Sequence, residues 1–163
     1  AEVQTSLDIA VQYFANFTCM TLIPRTTETN YVNVIADSGC YSYLGMIGGA
    51  QDLSLVNGCQ AIGTVLHEFL HASGRSHEMV RPGRDTLVQI NTDNFPSDNH
   101  NFNLCSSCTN YGAYNFESAM HYGAWAFSTN GLKTIETVNS EMFPHYGQRY
   151  GLSSVDIQAV ETI

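Results

Sequence analysis

The most constraining feature of the chain is the string HEFLHASGRSHE, which begins at His67. On an α-helix, residues four apart lie on the same face, so His67 and His71 can both point a ring nitrogen at one ion. Gly74 can adopt a positive φ, so we expect the helix to end there and the chain to turn back, bringing His77 as a third ligand. The spacing therefore predicts a site for one zinc ion.

Glu68 follows the first histidine and cannot share its direction toward the ion. It is near enough to reach a water molecule that the ion activates, so we interpret it as a general base rather than a ligand. Copper or cobalt would bind similar ligands, and the availability of each metal decides among them. The alternative, that these are solvated or core histidines of an ordinary helix, does not account for the whole set.

Charge and length limit the possible functions. The chain has 163 residues and a net charge of −9, with six Lys and Arg against fifteen Asp and Glu. Such an acidic balance argues against nucleic acid as a partner. The length fits one domain, and no apolar run approaches the ~20 residues of a membrane span, so membrane insertion is not expected.

Five cysteines without zinc-finger spacing indicate an oxidising compartment, and hence a secreted, extracellular protein. Cys40 and Cys59 bracket a predicted sheet segment and form a reasonable disulfide pair. Cys105 and Cys108 favour a local disulfide over a redox pair, because no βαβ pattern surrounds them. The sequon at Asn16 weakly agrees with secretion.

Periodicity and turn signals predict a mixture of helices and short strands. The first helix, with Thr5 or Ser6 as its cap, precedes a small sheet and the zinc helix. An Asn130-Gly131 hairpin and a terminal helix capped by Ser153 follow. The predicted elements are helix 5–20, strands 31–35, 40–44 and 51–56, helix 61–73, strand 86–90, an irregular stretch 91–114 and a hairpin over 127–135.

A second motif, Ser118-Ala119-Met120-His121-Tyr122, lies about forty residues after His77. Together with the zinc string it resembles the astacin family of metzincin zinc peptidases, as do Tyr41-Ser42-Tyr43 and Arg81-Pro82-Gly83-Arg84-Asp85. The resemblance implies an α+β, metzincin or zincin-like fold: an amino-terminal mixed sheet with the zinc-binding helix, a largely irregular carboxyl-terminal half with a terminal helix, and an active-site cleft between. It implies one catalytic domain over 1–163, with subdomains 1–74 and 75–163.

The resemblance also implies roles for single residues. Tyr122 matches an additional zinc ligand that can swing off the ion to stabilise the tetrahedral intermediate, although a core aromatic is the plain alternative. Met120 matches an apolar floor beneath the ligands. Glu68 matches the catalytic base, and the zinc ligands match His67, His71 and His77.

Substrate-binding positions follow from the same resemblance. The strand that contains Cys40, Tyr41 and Tyr43 is similar to the edge strand on which family members align a peptide as an added strand. Arg149 matches a position that in some relatives favours an acidic residue after the scissile bond, while a solvated surface arginine is the alternative.

The function implied is that of a secreted zinc metalloendopeptidase, acting on proteins or peptides as a monomer made from a precursor with a propeptide. The alternative is a catalytically inactive, zinc-containing binding module of the same fold. The family pairs the cysteine matching Cys19 with one near the carboxyl terminus, which this chain lacks. We therefore expect that segments are missing at both ends, so Ala1 need not be a natural terminus. In the family, the freed amino terminus of the mature enzyme pairs with the Glu that follows the third histidine, which is Glu78 here. Because this chain begins nearly at its first helix, that salt bridge cannot be inferred.

Overall fold

The computed structural model describes residues 2–139 and 146–163. The expectation for Ala1 therefore lies outside the described residues. Two compact units make up the chain: one contains the residues up to Arg75 together with Arg149–Ile163, and the other is Ser76–Gln148. The subdomains 1–74 and 75–163 stay a prediction.

The first helix, α1, spans Glu2–Phe17, so it begins and ends three residues before the predicted bounds. The predicted cap at Thr5 or Ser6 is wrong, because Ser6 lies on the buried face of α1 with Ala10 and Phe14. The Ser6 hydroxyl donates to the Gln60 carbonyl at 2.7 Å. Two small residues on this face let α1 approach the zinc helix closely, and the Phe14 ring meets that of Phe69 edge-on at 6.1 Å.

A three-stranded mixed sheet follows, with the order β1-β3-β2. Strand β1, Tyr31–Ile35, pairs in parallel with β3, Ala50–Ser54, and β2, Tyr41–Ser42, pairs antiparallel with β3. Strand β2 is shorter than predicted, because the chain enters the glycine-rich loop, where Gly45 has φ 70°. A disulfide joins Cys40 to Cys59, the pair that the sequence suggested.

Helix α2, Ile62–Ala72, is the predicted zinc helix, and its apolar side chains Val65, Leu66 and Leu70 are fully buried. The terminal helix α3 spans Ser154–Val160. Its predicted cap is confirmed: the Ser153 hydroxyl accepts from the Asp156 amide, and the Asp156 carboxylate accepts from the Ser153 amide. Asp156 also pairs with Arg75 at 3.4 Å, both side chains being buried.

The second unit is largely irregular, as expected. Strands β4, Val88–Ile90, and β5, Ile135–Thr137, form an antiparallel pair. A disulfide links Cys105 to Cys108. The short 3-10 helices among the described residues are Glu78–Val80, Arg84–Thr86, Thr92–Asn94 and His100–Phe102.

The predicted hairpin around Asn130-Gly131 is wrong. The Thr129 amide donates to the Asn94 carbonyl at 2.9 Å, and the Ser128 hydroxyl donates to the Leu132 carbonyl at 2.7 Å, so the segment is a loop held by backbone and side-chain hydrogen bonds. The strand that begins at Ile135 pairs with distant β4 instead, where Ile135 enters an apolar core. In the described part of the chain, no helix is long and apolar enough to cross a membrane.

Candidate metal centre

The end of α2 brings the chain back on itself after the second histidine. Gly74 has φ 105°, and its amide donates to the His71 carbonyl at 2.9 Å. The Arg75 amide donates to the Leu70 carbonyl at 2.9 Å, which completes a Schellman motif. The predicted helix end at Gly74 is confirmed, and the chain then reaches His77 within a few residues.

The three histidines lie together. One ring nitrogen of each of His67, His71 and His77 lies within 4.8 Å of the others. The His71 Nδ1–H donates to the Arg75 carbonyl at 2.7 Å, which leaves Nε2 for an ion. Burial lowers the pKa of His71 to about 4, against the opposing effect of that carbonyl, so the ring is neutral and able to coordinate at neutral pH.

Glu68 is buried on the same helix, at 4% exposure. Its Oε2 atom has no hydrogen-bond partner among the described protein atoms. Burial raises the pKa of Glu68 to about 7, and the charge of Arg149 acts in the opposite direction. A buried carboxyl oxygen without a protein partner is costly unless a bound molecule completes its hydrogen bonds.

This donor set fits zinc. Three imidazoles are ligands of borderline softness, and three protein ligands with a position left for water is the usual arrangement at catalytic zinc. The open oxygen of Glu68 supplies an acceptor for such a water molecule. Among the described residues, this is the one cluster of three or more histidine, cysteine or carboxylate side chains placed to hold a metal.

Tyr122 and Met120 belong to the second unit. The Tyr122 ring lies 4.3 Å from the His77 ring, so tyrosine and candidate ligand are neighbours. Met120 is fully buried, and its carbonyl accepts from the Glu78 amide at 3.0 Å. The His121 Nδ1–H donates to the Tyr122 carbonyl at 2.6 Å while Nε2 accepts from the Tyr114 hydroxyl at 2.7 Å, which fixes the backbone beside Tyr122.

Glu78 has hydrogen-bond partners that the sequence did not predict. Its Oε1 accepts from Arg81 at 2.6 Å and from the Asn115 amide at 2.9 Å. Arg81 also donates to the carbonyls of Gly112 and Ala113. A charge pair at three-residue spacing was the available signal for this contact.

The predicted substrate-binding residues all lie in the first unit. Tyr41 and Tyr43 are 37% and 49% exposed on and beside β2, which is at the edge of its sheet, and Cys40 is held in its disulfide. Arg149 packs its backbone on α2, where the Gly63 amide donates to the Arg149 carbonyl at 3.0 Å. The sequence did not predict this contact of Arg149 with Gly63, although a glycine inside a buried helix is a recognisable signal of close backbone approach.

Comparison with known proteins identifies the family. The family model described as Astacin, a family of peptidases, matches residues 1–163. Embryonic protein UVS.2 of Xenopus laevis is 40% identical over 156 residues, covering 94% of this chain and 30% of its own length. Zinc metalloproteinase nas-13 of Caenorhabditis elegans is 35% identical over 161 residues, covering 94% and 35%. This chain thus spans about a third of the length of these two relatives.

A solved structure agrees over most of the chain. High choriolytic enzyme 1, a hatching enzyme zinc-protease from Oryzias latipes, superposes with a TM-score of 0.89 at 37% identity, covering 96% of this chain and 80% of that one. Myroilysin, at 24% identity and a TM-score of 0.61, shares the fold over 98% of this chain and 85% of its own. The names of these relatives and the histidine cluster together indicate zinc as the ion. The chain belongs to the astacin family of peptidases.

Proposed function

We propose that this chain is the catalytic domain of a secreted, zinc-dependent endopeptidase that hydrolyses internal peptide bonds of proteins. The observation that carries the proposal is Glu68, whose buried Oε2 atom has no partner among the described protein atoms and lies on the helix of two candidate ligands. A purely structural zinc site has no use for a costly open carboxylate beside its ligands.

Glu68 moves the proton in the proposed reaction. Zinc held by His67, His71 and His77 would polarise the scissile carbonyl and acidify a water molecule. Glu68 accepts the proton that this water molecule loses as the water oxygen bonds to the carbonyl carbon. Glu68 then returns the proton to the amine nitrogen as the C–N bond breaks. Its pKa of about 7 suits a group that must both accept and donate.

Tyr122 is proposed to serve as an additional zinc ligand before substrate binds. Once substrate is bound, the Tyr122 phenol would donate a hydrogen bond to the oxyanion that develops on the scissile carbonyl. Support comes from the 4.3 Å separation of the Tyr122 and His77 rings, and from His121, which fixes the Tyr122 main chain.

Substrate is proposed to bind as an added antiparallel strand on β2, beside Tyr41 and Tyr43. The support is the edge position of β2 and the exposure of both tyrosines. Arg149, which acts electrostatically on Glu68 and His71, is proposed to favour an acidic residue just after the scissile bond. Replacing Arg149 with Ala should reduce the preference for acidic residues there in peptide-library cleavage profiles, while cleavage of neutral sequences persists.

Secretion is supported by two disulfides, which persist in oxidising compartments. A propeptide in the precursor and a monomeric mature enzyme complete the proposal and rest on family membership.

The test replaces Glu68 with Gln, with Glu161→Gln as a control on an exposed carboxylate. Glu68→Gln should retain one zinc per chain by elemental analysis and lose casein cleavage by roughly 10²-fold or more. Wild type and Glu161→Gln should cleave casein in a manner that phenanthroline abolishes. Equal cleavage by Glu68→Gln contradicts the role of the base. Wild-type protein that binds zinc without phenanthroline-sensitive cleavage would indicate the inactive binding module instead.

A further inference from the structure

Phe127 has a backbone conformation that bulky residues rarely adopt. Its φ is 60°, and it is the one non-glycine residue with positive φ in the part of the chain that the structure describes. It occupies the third position of a turn closed by the Ser128 amide, which donates to the Trp125 carbonyl at 3.0 Å. Where φ is positive at this turn position, glycine or asparagine is usual. A phenylalanine here is strained.

Hydrogen bonds on both sides of Phe127 maintain that strain. The Thr134 hydroxyl donates to the Ala126 carbonyl at 2.7 Å, just before Phe127. The Ser128 hydroxyl donates to the Leu132 carbonyl at 2.7 Å, just after it. With its neighbours fixed, the residue has little freedom to relax. Strain of this kind persists where the position of the side chain matters.

The Phe127 ring packs against Tyr122. The two centroids are 5.5 Å apart with an interplanar angle of 59°. Phe102 closes a triangle, edge-on at 6.0 Å from Phe127 and 5.9 Å from Tyr122. Phe102 is 3% exposed and Phe127 is 47% exposed, so one wall of the triangle is core and the other faces outward. His77 lies against Tyr122 as well, at 4.3 Å.

We propose that Phe127 is a positioning residue for Tyr122. The Phe127 ring guides the Tyr122 phenol between its position near His77 and its position against the substrate. This inference rests on the proposed role of Tyr122. A phenol that changes partners during each turnover needs a defined path, because small misplacements of a catalytic group cost much rate. A glycine at position 127 would remove the backbone strain but would leave one side of Tyr122 without a neighbour.

The kinetic test compares Phe127→Ala, Phe127→Gly and Phe127→Tyr, each also combined with Tyr122→Phe. Removing the ring should lower kcat roughly tenfold while KM changes less than about twofold, and zinc content should be unchanged. Phe127→Gly should lose as much kcat as Phe127→Ala although it relieves the strain, and Phe127→Tyr should restore it. In Tyr122→Phe enzyme, removing the Phe127 ring should change kcat less than about twofold. Trp125→Ala, which alters an exposed ring of the same turn, is the matched control.

A second measurement does not depend on activity. In zinc-free protein, a double-mutant cycle of Tyr122→Ala and Phe127→Ala in urea unfolding should show a coupling of roughly three- to tenfold in the unfolding equilibrium constant. Additive effects would overturn the packing on which the inference depends. Coupling without any kcat loss in Phe127→Ala would overturn positioning. Unchanged kcat in Tyr122→Phe would instead contradict the proposed role of Tyr122, and absence of wild-type activity would contradict the proposed function.

Discussion

Glu78 is a buried carboxylate that forms an ion pair with Arg81. It is 1% exposed, and its Oε1 lies 2.6 Å from the Arg81 guanidinium. The Glu78 amide donates to the Met120 carbonyl. This hydrogen bond joins the segment that follows His77 to the segment that leads to Tyr122. A buried carboxylate with such a partner depends on that partner's charge.

Replacing Arg81 with Met should therefore cost about 3 kcal/mol of unfolding free energy, because the carboxylate of Glu78 loses its adjacent positive charge. Adding Glu78→Gln should recover part of this loss, since the amide carries no charge to compensate. Urea unfolding of the two single variants and the double variant measures the effect. Independent, additive losses would show that the Arg81–Glu78 pair does not carry the energy assigned to it.

Helix α2 has a glycine at a position that decides how closely another segment approaches. A Cβ on Gly63 would lie 2.3 Å from the backbone carbonyl carbon and oxygen of Arg149. Main-chain atoms cannot rotate away as a flexible side chain can. Gly63 thus sets the distance between α2 and the segment that carries Arg149.

Gly63→Ala should destabilise the protein by about 2 kcal/mol, although alanine is the better helix former. Overpacking against the Arg149 backbone outweighs the gain in helix propensity. Gly123→Ala is the control, because a Cβ there has its nearest neighbour, the Tyr146 carbonyl oxygen, at an ordinary 3.9 Å. Thermal and urea unfolding should separate the two variants. A stabilised Gly63→Ala protein would contradict the close packing at α2.

Elements with local signals could be predicted, and those decided by distant partners could not. The end of α2 at Gly74 and the cap of α3 at Ser153 follow from backbone hydrogen bonds within a few residues. The Asn130-Gly131 hairpin failed because its outgoing residues gain more by pairing with β4, where Ile135 is buried, than by pairing locally. Ser6 was wrong as the cap of α1 because it lies inside the helix, on its buried face, where its hydroxyl bonds to the distant Gln60 carbonyl.

The same distinction applies to the metal centre. The spacing of His67, His71 and His77 was sufficient to predict that they lie together, since helix geometry and one glycine bring them close. The open oxygen of Glu68 could not be predicted, because burial depends on what packs around α2. The contact of Phe127 with Tyr122 could not be predicted for a similar reason, since neither this contact nor the φ of Phe127 has a sequence signature.

For the molecule as a whole, zinc is expected to stabilise the folded state by mass action. At a free zinc concentration about 100 times the dissociation constant, the gain should be about 2.7 kcal/mol if the unfolded chain does not bind zinc. Calorimetry should therefore show a higher melting temperature with zinc and a lower one with EDTA. His77→Ala, which removes one candidate ligand, should abolish most of the shift. A wild-type melting temperature insensitive to EDTA would contradict a zinc site in the folded protein.

In the zinc-free protein, Glu68 and His71 act on stability in opposite directions as pH changes. The pKa of Glu68 rises from 4.5 to about 7 on folding, so its contribution is fully present below about pH 4.5 and is lost as pH rises through about 7. The pKa of His71 falls from 6.5 to about 4 on folding, so its contribution is present above about pH 6.5 and is lost as pH falls through about 4. Between pH 4.5 and 6.5 the two effects largely cancel.

Glu68→Gln should remove one of these effects and reveal the other. Relative to the variant, the zinc-free wild type should lose about 3 kcal/mol of unfolding free energy as pH rises from about 4.5 to about 8, since it must bury a charge that the amide lacks. The variant alone should become less stable on acidification, as the unfolded chain protonates His71 while the folded chain does not. Urea unfolding at several pH values in EDTA measures the difference, with Glu161→Gln as the exposed control. A constant difference between wild type and Glu68→Gln across this range would show that folding does not raise the pKa of Glu68.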